Sequence, residues 1–219
     1  PRPYAEILRQ WSSLHPEFTF LPRKFKIAIS GSEHDRAATQ VHDIGLVAKR
    51  DAGGRVGFAY YVGGGLGRTP MIGHKIHDFV PVEDLLSYTE AVLRVYNLFG
   101  RRDNKYKARI KILVHETGAE EIKRMVEEEW ARIRHGALEL PAEEIRRIET
   151  YFAPPDLTPR PANSAVLERA TAANPALGAW VAQNVVPHRV TGHGIVTISL
   201  KPIGGTPGDA TADQMELVA

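Results

Sequence analysis

The sequence predicts an α+β fold: a mixed, largely antiparallel sheet with helices packed on one face, then a small incomplete α/β segment. Three observations carry this. Between Lys24 and Val62 apolar residues recur at every second position, in runs broken by glycine-containing turns, as half-buried strands require. Between Pro81 and Arg134 they recur three and four residues apart, as amphipathic helices require. Pro154, Pro155, Pro159 and Pro161 then crowd together and mark a linker, beyond which a second set of short elements begins.

The elements follow in order. Tyr4, Ile7, Leu8, Trp11 and Leu14 have helical spacing over Pro3 to Leu14, and Pro16 ends that helix. Pro22 biases Leu21 towards an extended backbone and opens a strand, Leu21 to Ile29, broken by Ser30, Gly31 and Ser32. After a polar loop from Glu33 to Gln40, Asp43 to Lys49 reads as a strand with Ile44, Leu46 and Ala48 on one face. Asp51-Ala52-Gly53-Gly54 is a hairpin turn, and Arg55 to Val62 is the returning strand, so Lys24 to Val62 is expected to form an antiparallel sheet. Pro81 starts a helix with Glu83 and Asp84 in its first turn, buries Leu85, Tyr88, Val92, Val95, Tyr96 and Phe99, and stops at Gly100. A further helix is expected from Ala119 to Arg134, with Ile122, Met125, Val126, Trp130 and Ile133 inward, and another from Leu140 to about Phe152. Ala162 to Ala173 and Pro175 to Gln183 read as helical. Strands from Val185 to Val190 and from His193 to Pro202 follow, then a glycine turn at Gly204-Gly205 and a terminal helix from about Thr211. The expected division is residues 1–136, a Pro-rich helical connector at 137–184, and a truncated module at 185–219.

With 43% hydrophobic and 25% charged residues in 219, a sizeable core can form. The net charge of +2 is too small to argue for nucleic acid. The chain contains no cysteine, which excludes disulfides and thiolate-ligated metal centres built from its own residues and is compatible with a cytoplasmic location. No apolar run is long enough to span a membrane and no signal peptide opens the chain. The chain starts at Pro1 and stops in an apolar helical phrase, Met215 to Ala219, and is expected to be a piece of a longer polypeptide.

Four stretches carry candidate chemistry. Lys24 and Lys26 share one face of an extended segment while Phe25, Ile27 and Ile29 face the core, so two ammonium groups stand side by side as a solvated pair or as an anion site. Gly63, Gly64 and Gly65 read either as a flexible loop or as backbone laid close to a ligand, with N–H groups that cradle an anion. His74, Lys75, His77 and Asp78 lack an obvious third ligand, so no metal is assigned there. Arg101 to Lys111 is the densest basic run, either a solvated helix face or a second source of cations.

Leu21-Pro22-Arg23-Lys24-Phe25-Lys26, then Val62-Gly63-Gly64-Gly65-Leu66 after a hairpin, then Arg101-Arg102-Asp103-Asn104-Lys105 after a long helix, resembles the siroheme-dependent sulfite and nitrite reductase haemoproteins. The resemblance extends over about Phe18 to Arg134. It returns between Val185 and Ala219, which resembles the start of a ferredoxin-like half-module. It implies an α+β catalytic module of an oxidoreductase that reduces sulfite to sulfide, or nitrite to ammonia, by six electrons at siroheme coupled to a 4Fe-4S cluster. It implies that Lys24 and Lys26 hold the substrate anion. It implies cofactor contacts from Arg23, Gly63, Gly64, Gly65, Arg101, Arg102, Asn104 and Lys105, with a ferredoxin or flavoprotein as electron donor. Flanking modules of the same polypeptide would carry the cluster cysteines, so the isolated chain is expected to bind neither cofactor and to be inactive.

Two other readings stand beside this one. A small basic α+β module could hold a nucleic-acid backbone or a phosphate ligand on the Lys24/Lys26 face and the Arg101–Lys111 run; no aromatic stacking platform beside the cations supports it. A nucleotide site at Gly63 to Gly67 lacks the strand–loop–helix context such a site needs.

Overall fold

The computed structural model describes residues 1–32, 34–201 and 204–218. Glu33 of the expected polar loop, Pro202 at the end of the expected last strand, Ile203, and Ala219 of the terminal helix lie outside the described residues. The chain divides into two compact units, Pro1–Ala153 and Pro154–Ala219.

The first unit is built on a four-stranded sheet in the order β1 (Ile27–Ser30), β2 (Ile44–Arg50), β3 (Val56–Val62), β4 (His74–Pro81). β2, β3 and β4 are antiparallel neighbours, and β1 runs parallel to β2. The expectation of an antiparallel Lys24–Val62 sheet is corrected there. Residues 31–43, with a 3₁₀ turn at Thr39–Val41, are long enough to carry the chain back to the same end of the sheet, which parallel pairing requires. β4 is a strand where the sequence shows only a polar His-rich stretch. Register shifts against β3 between Phe58 and Tyr61 interrupt its period of two, so no clean alternation marks it.

One sheet face carries Ile44 and Leu46 of β2, Phe58, Tyr60 and Val62 of β3, and Val80 of β4, all buried. Helix α1 (Arg2–Ser12) closes on it through Tyr4, whose ring meets Phe58 edge-on at 5.2 Å. Helix α2 (Leu85–Phe99) closes on it through Tyr88, 4.6 Å from the Tyr60 ring. The Tyr60 hydroxyl, buried with them, reaches the Leu85 carbonyl and Thr89 Oγ1, which satisfies its polar atom inside the aromatic core. Burial drives its ionisation far above the ordinary tyrosine range. α3 (Ile110–Thr117) and α4 (Ala119–Ile133) follow, the latter burying Ile122, Val126 and Trp130 as its sequence stripe predicts.

The expected boundary at 136 falls inside the first unit, which runs on to Ala153. Leu140 and Ile148 enter its core, and α5 (Ala142–Tyr151) brings Glu149 to the Tyr4 hydroxyl of α1. The second unit holds α6 (Ala165–Ala173), α7 (Pro175–Asn184), a hairpin of β5 (Val185–Pro187) and β6 (Gly194–Val196), and α8 (Ala212–Val218). Ser164 and Asn174 cap α6 and α7 through their side-chain oxygens. Both strands are shorter than the sequence alternation predicts.

Candidate anion-binding site

The segment Leu21–Lys26 precedes the strand ladder, because β1 starts only at Ile27. Its side chains nevertheless alternate. Lys24 and Lys26 are exposed, whereas Phe25, Ile27 and Ile29 turn towards α1 and line a groove with Ala5 and Leu8. Among the described residues, neither lysine side chain has a hydrogen-bond or ion-pair partner; Lys26 is held only through its backbone.

That backbone is held by Asp43. Asp43 is fully buried, and its Oδ2 accepts the Lys26 N–H at 3.0 Å. The same carboxylate accepts Arg109 Nε at 2.8 Å on Oδ1 and Arg109 Nη2 at 2.7 Å on Oδ2, a bidentate pair. The Asp43 carbonyl accepts the Gly63 N–H, and Ile44 N–H donates to the Lys26 carbonyl. One residue therefore joins the lysine segment, the glycine turn and the end of the basic run.

The glycines serve approach of the chain to itself. Gly63 sits at φ +90°, and a Cβ there would stand 2.8 Å from the Val114 side chain of α3. A Cβ on Gly64 would run into the Gln40 and His42 carbonyls, and one on Gly65 would meet Lys111 Cδ at 2.9 Å. The N–H groups of Gly63 and Gly65 are spent on the carbonyls of Asp43 and Met71, so they are not free to cradle an anion. Lys111, almost fully buried, donates from Nζ to the Leu66 and Thr69 carbonyls at 3.3 and 2.5 Å and pins the outer part of the turn. Burial, with the Arg109 charge next to it, lowers its proton affinity, partly offset by Asp43.

The basic run is largely a loop with a 3₁₀ turn at Lys105–Lys107, and only from Ile110 does it become helical, so it is not a solvated helix face throughout. Most of the arginines and Asn104 expected at a cofactor are engaged within the chain. Arg23 donates to the Lys105 carbonyl. Arg101 pairs with Asp103 at 2.7 Å and Glu116 at 3.0 Å. Arg102 bridges the carbonyls of Phe20 and Asn97 at 2.9 and 2.8 Å. Asn104 caps the 3₁₀ turn by accepting the Tyr106 N–H. Lys105 stays exposed with its ammonium 5.3 Å from the Tyr106 ring centroid. The buried Tyr96 hydroxyl lies 2.7 Å from the Ala108 carbonyl and 3.1 Å from that of Arg23. Burial raises its pKa to about 12.

The result is a frame and a face. The frame ties Phe20–Lys26 to Asn97–Arg109 through Arg23, Arg102, Tyr96, Asp43 and Arg109. The face is Lys24 and Lys26, with exposed charges that the frame does not use. Sequence reasoning named the face and missed Asp43 and the particular role of Arg109 within a crowded basic run. His77 lies apart from this face, its ring edge-on to Tyr88 at 5.2 Å and Trp130 at 5.8 Å. Among the described residues no three His, Cys, Asp or Glu side chains gather as a metal site.

The exposed ammonium groups fit an oxyanion or the carboxylates of an anionic macrocycle; the chain supplies no thiolate for an iron–sulfur cluster.

Residues 1–134 match the family described as "Nitrite and sulphite reductase 4Fe-4S domain". Similar proteins include "Sulfite reductase [ferredoxin] 1" of Mycolicibacterium paratuberculosis, 32% identical over 134 residues, which are 61% of this chain and 24% of the relative. "Sulfite reductase [NADPH] hemoprotein beta-component" of Shewanella loihica is 34% identical over 117 residues, 50% of this chain and 20% of the relative. The solved "Structure of Mycobacterium tuberculosis NirA protein" superposes with a TM-score of 0.52 at 29% identity, covering 63% of this chain and 24% of that one. The chain thus spans between a fifth and a quarter of the length of these relatives.

Proposed function

Because this chain belongs to the nitrite and sulphite reductase 4Fe-4S domain family, we propose that it is the siroheme-side module of a sulfite or nitrite reductase, in which Lys24 and Lys26 hold the substrate oxyanion. The observation that carries this reading is the division of labour among the cations. The neighbouring arginines are engaged within the chain, and the two lysines are left exposed on a braced backbone. Two unpaired ammonium groups on one face are a site whose mutual repulsion is relieved by a bound anion. Ammonium donors beside a bound oxyanion would stabilise charge on a departing oxygen and supply it with protons.

Siroheme coupled to a 4Fe-4S cluster would supply the electrons for the six-electron reduction. Lys105 remains available to one of its carboxylates, whereas Arg101 could reach one only in competition with Asp103 and Glu116. The donor class is a ferredoxin or a flavoprotein, in keeping with the ferredoxin- and NADPH-dependent names of the relatives. Residues 137–184 are proposed as the connector, its first part up to Ala153 packed into the first unit, and residues 185–219 as the start of the next half-module.

The test is substitution within the siroheme-loaded polypeptide that contains this chain. Lys24→Ala and Lys26→Ala should each lower sulfite or nitrite turnover by roughly 10²-fold, the size expected for loss of one charge-stabilising donor, while haem absorbance stays. Wild-type turnover in both variants would remove the lysines from the site.

A further inference from the structure

Lys24 and Lys26 lie upstream of β1; the Lys26 carbonyl accepts the first bond of the β1–β2 pairing from the Ile44 N–H, but that bond leaves the Lys26 N–H side to be held by something other than the sheet. The only described side chain that holds the backbone of this pair is Asp43. Its Oδ2 is shared by the Lys26 N–H and by Arg109 Nη2, so the lysine segment and α3 are coupled through a single oxygen atom. The Ile44 N–H, next in sequence to Asp43, holds the Lys26 carbonyl, which fixes the Lys26 peptide on both sides. Arg109 is the residue immediately before α3, and Gly63 hangs from the Asp43 carbonyl. A buried carboxylate with both oxygens occupied and no exposure to solvent cannot itself meet an anion, and it would repel one.

We propose that Asp43, acting with Arg109, is the positioning residue of the anion face: it fixes the Lys26 backbone so that the two lysines present their charges together. The inference rests on the reading of Lys24 and Lys26 as the anion pair. It assigns Asp43 a negative charge that is electrostatically unfavourable for the substrate and geometrically required for it. These two effects have opposite signs, which makes the role separable from one of charge or of stability.

The experiment is titration of the full chain with sulfite, following the Lys24 and Lys26 resonances by NMR, in four forms. Wild type should show saturable shifts. Arg109→Lys conserves charge and removes the bidentate fork; it should weaken sulfite binding roughly fivefold with an unchanged salt slope, since the number of charges is the same. Asp43→Asn removes a negative charge near the site, so a purely electrostatic role predicts tighter binding, whereas positioning predicts binding weaker by about tenfold. Ile148→Val lies in the core at the α5 side and controls for general loss of stability; it should bind as wild type.

Folded Arg109→Lys and Asp43→Asn forms with wild-type or tighter binding would overturn the inference and leave the lysine reading intact. Equal weakening in Ile148→Val at matched stability would reduce Asp43 to a structural residue. If Asp43→Asn does not fold, the charge-conserving Arg109→Lys form decides. Absence of sulfite shifts in the wild type would remove the lysine reading, and the inference with it.

Discussion

Residues 1–153 and residues 154–218 carry similar local signals and reach different ends. Both contain helices with polar or proline starts and short strands with alternating apolar residues. In the first unit the faces meet: Ile44, Phe58, Tyr60, Tyr88 and Ile148 are buried completely. In the second, no described side chain is buried, and Trp180, Ile195 and Leu200 remain 42%, 49% and 46% exposed. Caps and turns are enough to form α6, α7 and the β5–β6 hairpin, since these depend on neighbours in sequence. A core needs a sheet wide enough to be covered, and two strands of three residues offer no such surface. The proposed anion face follows the same division. It sits on the first unit, where long-range bonds can hold a backbone segment that belongs to no strand.

The contrast can be broken, beginning with its largest expected effect. Asp43→Ala strands the Arg109 guanidinium beside a buried site and should destabilise the first unit by about 3–5 kcal/mol in denaturant unfolding, without altering the second unit's far-UV signal. Gly64→Ala drives a methyl group against the Gln40 carbonyl and should cost about 2–3 kcal/mol. A neutral result there would mean that the turn is looser than described. Tyr96→Phe should cost about 1–2 kcal/mol from the lost buried hydroxyl, and it should also change the alkaline limb of stability. The unfolded tyrosine ionises near pH 10 and the folded one only at about 12, so Tyr96 makes stability fall as pH rises through that window. The Phe variant should show a shallower fall there, measured by thermal unfolding at pH 9 to 12. At the small end, Trp180→Ala in the second unit should move stability by less than about 0.5 kcal/mol, as expected for a side chain without a packed surround. A loss of several kcal/mol would show that the second unit has a core after all.

What the sequence made legible follows the range of the interactions. α2 and α4 could be read from their apolar stripes, and the β2–β3 hairpin from Asp51-Ala52-Gly53-Gly54, because each signal lies within one element. The direction of β1 could not, since it depends on the path of residues 31–43 and not on the strand's own residues. β4 was hidden by its bulges and by the four polar residues His74, Lys75, His77 and Asp78. At the site, Lys24 and Lys26 stood out by alternation against Phe25 and Ile27. Asp43 did not, because its partner Arg109 is 66 positions away and one of many cations in that run. At Gly63 to Gly65, composition does not say whether a ligand or Val114 and Lys111 come close.

The central claim is that Lys24 and Lys26 act together as an anion pair. Its most direct measurement is the chemical shift of individual lysine side chains in the wild-type chain as sulfite is added at constant ionic strength. The account predicts saturable shifts at Lys24 and Lys26 with one common affinity, and none at the exposed Lys123 of α4. Equal shifts at Lys123, or none at the pair, would contradict it.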